Sequence, residues 1–206
     1  MRHSVSKELY AYWDRLRGSR AAPDRNDLDP GAIRHLLADC FIVEIDQACQ
    51  FPLRLCGTRL NGLWSGEGRG APFLDMWRNE DRRAVAAALL SVIDGATPIV
   101  GGAKARARAD DAEAAEASRR ELEFELLLLP LSYFGKTRSR LLGSLAPFGE
   151  ADWFGRASAD KLEIASLRVL SARERAGFAA PRVARPLAPE ERGGRRFIVY
   201  EGGKRA

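Results

Sequence analysis

Apolar and polar positions alternate with a period of two in two well-separated blocks of the chain. In the first block, Phe41, Val43 and Ile45 share one face of a strand, with Ile42 and Glu44 on the other. Phe51, Leu53 and Leu55 then share a face of a partner strand, opposite Arg54 and Cys56. In the second block, Leu122, Phe124, Leu126 and Leu128 oppose Glu121, Glu123 and Glu125, and a strand bearing Leu141, Gly143 and Leu145 follows. Between the blocks the period becomes helical. Val85, Leu89, Val92 and Ile93 form one apolar face over residues 80–94, with Asn79 as the starting cap and Gly95 as the stop. Thr97 to Arg108 reads as a further strand. Two hairpins flanking a helical crossover predict an α+β fold, a five-stranded antiparallel sheet with helices on one face.

Both ends carry additions. Val5, Leu9, Tyr12, Trp13 and Leu16 make one stripe of an N-terminal helix, capped by Ser4 or Ser6 and followed by Gly18. Its apolar surface is expected to cover the outer sheet face or a partner's equivalent. Asp29 followed by Pro30 predicts a second helix through Ile33, Leu36 and Leu37. Thr58 is placed to cap a short helix with Leu60 and Leu63, ahead of a glycine-rich loop over 65–72 and a short turn at Phe73–Trp77. The expected organisation is an N-terminal helical extension over 1–38, a core over 39–148, a C-terminal helix or segment over 149–175, and a basic flexible tail over 176–206 with a short terminal strand.

At 206 residues, 46% hydrophobic and 30% charged, the chain suits one globular domain with appendages. No run approaches the roughly 18 apolar residues of a membrane span. The first residues lack the apolar stretch of a signal peptide, so a cytoplasmic location is expected. Cys40, Cys49 and Cys56 are an odd number without a C-x-x-C pair and read as reduced thiols. The net charge of +5 is concentrated at the C-terminal end: residues 168–206 hold ten basic and four acidic residues, leaving 23 basic against 24 acidic elsewhere. A basic tail, not a basic domain, argues against a nucleic-acid-binding protein.

The order of short motifs carries a family resemblance. Leu9-Tyr-Ala-Tyr-Trp13, Leu28-Asp-Pro30, Leu53-Arg-Leu-Cys-Gly-Thr58, Phe73-Leu-Asp-Met-Trp77, Leu142-Gly143 and the closing Phe197-Ile-Val-Tyr-Glu-Gly-Gly-Lys204 together resemble an alphaproteobacterial family of stand-alone PAS proteins, once catalogued as a domain of unknown function. The resemblance implies a PAS-type fold and a role in signalling. It carries no catalytic residues. The loop at Asp110–Arg120 and the glycine-rich run Trp64–Gly70 depart from the family pattern.

A haem-type axial ligand is missing from the long crossover helix, which holds no histidine; the chain has only His3 and His35. No flavin-reactive cysteine segment, phosphate loop or Cys/His cluster is present, so no cofactor and no metal are expected. Phe41, Val43, Leu55, Leu63, Trp77, Leu89 and Ile93 are expected to line a space between sheet and helices, with Trp64 at its mouth, and any ligand is then small and largely apolar. The interaction candidates are Leu9, Tyr12, Trp13 and Leu16 on the first helix, and Arg195, Arg196, Phe197 and Tyr200 at the other end. The function expected is a non-catalytic, cytoplasmic sensory or interaction module acting on signalling proteins such as histidine kinases or regulators, and pairing as a homodimer. The rival readings are a nucleic-acid-associated regulator using the tail, and a small enzyme on a cone-like α+β fold.

Overall fold

The computed structural model describes residues 1–46, 50–64, 66–108, 121–133, 137–150, 153, 154, 156–171, 174, 177 and 178. The expectations for Cys49, for the loop over 110–120 and for Arg195, Arg196, Phe197 and Tyr200 fall outside these residues.

Six strands form one antiparallel sheet: β1 (Cys40–Glu44), β2 (Leu53–Cys56), β3 (Ile99–Ala105), β4 (Leu122–Tyr133), β5 (Thr137–Pro147) and β6 (Glu163–Val169). Their order across the sheet is β2-β1-β5-β4-β3-β6. The helices are α1 (Ser4–Arg17), α2 (Thr58–Leu63) and α3 (Arg82–Gly95), with short 3-10 turns between them. The first five strands are the two hairpins and crossover predicted from alternation. The sixth is an addition: the stretch expected as a C-terminal helix or segment pairs with β3 instead. Its apolar residues Ile164, Leu167 and Val169 lack the clean alternation that marks β4, which hid it.

The sheet separates two apolar layers. On the inner face, Phe41, Val43 and Leu53 join Leu126, Leu128, Leu141 and Leu145, beneath Leu63, Phe73, Trp77, Leu89 and Ile93 of the helical layer. On the outer face, Ile42, Val100, Leu127, Leu129, Leu131 and Leu142 meet Leu9, Tyr10, Tyr12 and Trp13 of α1. Burial on both faces explains why β4 reads as a near-continuous run of leucines. Each buried leucine contributes on the order of 1.5–3 kcal/mol.

Local chemistry shifts several expected boundaries. The cap of α1 is His3, whose Nδ1 accepts from the Val5 backbone N at 3.2 Å, in place of Ser4 or Ser6. Asp29 does cap a turn at Pro30, but the chain makes two 3-10 turns, Pro30–Ile33 and Leu37–Asp39, and not one helix. Gly95 is the last residue of α3, and Ala96 adopts the left-handed conformation after it at φ 47°.

Candidate functional site

The outer layer is built around α1. The Trp13 indole Nε1 donates to the Pro130 carbonyl at 2.8 Å, across 117 residues of sequence. The Tyr12 hydroxyl donates to the Asp29 carbonyl and accepts from the Asp29 amide at 2.7 Å. Glu125 lies on the same face of β4 as its outer-layer leucines, buried at 5% exposure, and its two oxygens accept from the Arg2 and His3 amides at 2.7 and 3.0 Å. The start of α1 is thereby tied to the middle of the sheet. Leu9, Tyr12 and Trp13 are fully buried in their own chain, and Leu16 packs partly beneath them. Leu9, Tyr12 and Trp13 therefore cover the outer face of their own sheet, with Leu16 at the margin.

The inner layer brings together Phe41, Val43, Leu63, Trp77, Leu89 and Ile93, all essentially inaccessible, with Trp64 half-buried beside them. Aromatic rings fill its centre: Phe41 stacks on Phe73 at 4.9 Å, and Phe73 meets Trp77 edge-on at 5.9 Å. Phe41 lies flat over β5 because Gly143 has no side chain; a Cβ there would come within 2.2 Å of the ring. Two donors in this layer have no partner among the described residues. Nε1 of Trp77 and Nε1 of Trp64 are both inaccessible and make no hydrogen bond. An unpartnered buried donor in apolar surroundings costs about 1–3 kcal/mol.

Leu55 is a correction. It packs with Ile42, Cys40 and Leu142 on the outer side, next to Leu28 and Leu37, and away from Phe41 and Val43. The cause is a bulge: Ile42 faces Leu55 while Val43 faces Leu53, so Arg54 is an extra residue without an opposite number. The alternation restarts on the other phase, and Cys56 turns inward.

That inversion also separates two thiols. Cys40 lies in the outer layer and Cys56 against the inner one, with the sheet between them. Burial, with help from the Asp39 carboxylate, pushes the Cys40 thiol up to about 12. Burial alone pushes Cys56 up to about 11. Both are poor nucleophiles near neutral pH.

Charge collects at the sheet margins. Glu44 accepts from Arg54 and, at 2.7 Å, from Arg140 Nε; burial pulls its carboxyl upward, but these two guanidiniums outweigh it and hold the group below its ordinary range. Glu121 joins Lys104 at 2.6 Å and Arg106 at 3.1 Å, the cross-strand pairing expected from the alternating charges. Asp39, at 2% exposure, is paired with Arg59. Arg59 borders a polar cleft of about 540 Å³ with His3, Pro147, Phe154 and Arg156. Among the described residues, no three His, Cys, Asp or Glu come together to hold a metal, and no helix is long and apolar enough to cross a membrane.

Sequence reasoning missed Glu125, Trp153 and the stretch from Ala157 to Leu162. Glu125 looked like its neighbours in an alternating acidic strand, and only the position of α1 sets it apart. Trp153, Ala159 and Leu162 are buried in the inner layer, although they follow the last predicted core strand.

An antiparallel sheet ordered 2-1-5-4-3, with the 2–3 crossover forming a helical layer on one face, is the architecture of a sensory PAS module. A family model described as the PAS domain matches residues 1–146, and the chain belongs to that family. Two solved structures resemble it. The Rhodobacter sphaeroides LOV protein aligns at a TM-score of 0.40 and 12% identity, covering 61% of this chain and 71% of that one. A single-residue variant of RsLOV aligns at 0.37 and 18%, covering 74% and 72%. No curated protein matches the chain.

Proposed function

We propose that this chain is a non-catalytic sensory module of the alphaproteobacterial stand-alone PAS kind, acting in the cytoplasm and passing its signal to signalling proteins by direct contact. The observation that carries the sensory half is Trp77, a fully buried indole whose Nε1 has no acceptor among the described residues. A small, largely apolar ligand with one hydrogen-bond acceptor would satisfy that donor, and seating it requires the packed rings of Phe41 and Phe73 to shift. Relay by protein contact follows from the family's sensory role and from the motif resemblance, which brings histidine kinases or their regulators as the partner class. Homodimer formation belongs to the same reading. With α1 seated on its own sheet, pairing through the outer face first requires that helix to move.

Native mass spectrometry of gently purified protein, with Trp77→Phe alongside, tests the ligand. A co-purifying small mass that the variant loses is the expected result. Protein without a bound mass, and a Trp77→Phe variant of unchanged or higher stability, overturns the ligand and leaves an interaction module.

A further inference from the structure

We infer that residues 157–170 form a latch: docked in this structure, they close the inner layer on the β3 side, and they leave as a unit while β1 to β5 stay folded. This holds whether or not a ligand occupies the core.

The first half of the latch is a strap strung between the helical layer and the continuation of β3. Toward the helices, the Ala159 amide donates to Leu63 O at 2.5 Å, the Leu162 amide to Met76 O at 2.8 Å, and the Arg78 amide to Leu162 O at 2.9 Å. Toward β3, the Arg108 amide donates to Ser158 O and the Asp160 amide to Arg106 O, both at 2.8 Å. The strap thus spans the gap beside Leu63 and Trp77, the residues that wall the inner layer. Its pairings are single bridges, Trp77 with Leu162 and Ala107 with Ala159, and not a ladder.

The second half is β6, and its seat is written into β3 as Gly101-Gly102. A Cβ on Gly101 would come within 2.5 Å of Ser166 O and 2.8 Å of Leu167 Cδ2, and its three nearest neighbours all belong to β6. Gly102 is likewise lined by Ser166 and Ala165, and its amide donates to Ser166 Oγ at 3.0 Å. Glycine weakens a strand interior, so its presence marks a close backbone approach. Here the approach is that of β6. Asp81 adds one more tie, accepting from the Ile164 amide at 2.9 Å.

What holds the latch is mostly backbone. Within it Ala159, Leu162 and Leu170 are buried, while Ala165, Ser166, Arg168 and Val169 are exposed. Segments with few buried apolar side chains open at lower free energy than the core they sit on. Release uncovers the wall at Leu63 and Trp77 and frees the edge of β3, so a change in the core is transmitted to the chain beyond β6.

Hydrogen exchange followed by mass spectrometry on the full chain tests this, with Gly101→Ala and the milder Asp81→Ala. In the unsubstituted protein, peptides over 157–170 are expected to exchange together, at least tenfold faster than those of β4 and β5. Both substitutions should speed 157–170 further and deprotect the Arg78 amide, leaving β4 and β5 unchanged. Exchange of 157–170 at the rate of β4 and β5 in the unsubstituted protein overturns the latch. So does a uniform rise across 157–170, β4 and β5 in both variants.

Discussion

β4 and β6 belong to one sheet and flank the same neighbour, β3, yet they are held in opposite ways. Leu126 to Leu129 of β4 are at most 1% exposed, because one face lies under α1 and the other under the helical layer. In β6 Val169 is 55% exposed, and no side chain of the strand is fully buried. Hydrogen-bonded pairing is common to both; desolvation is not. A backbone hydrogen bond exchanges partners with water for a net gain of about 0.5–1.5 kcal/mol. Side-chain burial therefore sets which strand is permanent.

The sharpest way to break this comparison is a matched truncation. Leu128→Ala in β4 should lose about 2–5 kcal/mol in denaturant unfolding, the range for a buried leucine, whereas Leu167→Ala in β6 should lose well under half of that. Equal losses would mean that the edge strand is as integral as the centre.

A smaller effect tests how the outer layer is fastened. Glu125→Ala leaves the Arg2 and His3 amides without acceptors in a buried setting and should cost about 1–3 kcal/mol. For a chain of this length that lowers the melting temperature by about 2–4 °C per kcal/mol. A larger change in the environment of Trp13, read by fluorescence, would show that the whole of α1 depends on this one anchor.

Two finer tests reach the margins. The folded Glu44 carboxyl is held below its ordinary range, so its ion pairs contribute stability above that range and lose it as pH falls through the folded value. The stability gap between the protein and Glu44→Gln should accordingly be widest near neutral pH and close in acid; a gap that persists in acid would assign the effect to packing. Ala96→Gly should stabilise by a few tenths of a kcal/mol to about 1 kcal/mol, since glycine enters the left-handed region without a Cβ clash.

The sequence made the centre of this molecule more legible than its edges. Leu122 to Leu128 and the stripe Val5–Leu16 are governed by burial, which stamps its period on the residues. Leu55 departs from the face that its alternation assigns. Its face is set by strand register, and an unpaired residue at Arg54 leaves no compositional mark. The strand β6 was missed for the related reason that a segment held by its backbone needs no particular side chains. Trp153 and the strap were missed because they reach the core only after the hairpins are assembled. The His3 cap was overlooked because two serines with stronger capping preference follow it directly.

The extra residue at Arg54 acts as a phase shifter. Before it, odd-numbered positions of β2 point inward; after it, even-numbered ones do. Deleting Arg54 would set Leu53, Leu55 and Cys56 opposite Val43, Ile42 and Phe41 in an unbroken ladder, so a one-residue deletion here removes the bulge while Leu55 stays outward and Cys56 inward. Any comparison of related chains that runs ungapped through this point matches inward residues with outward ones, and a conservative pattern across the hairpin will look scrambled until that single position is set aside.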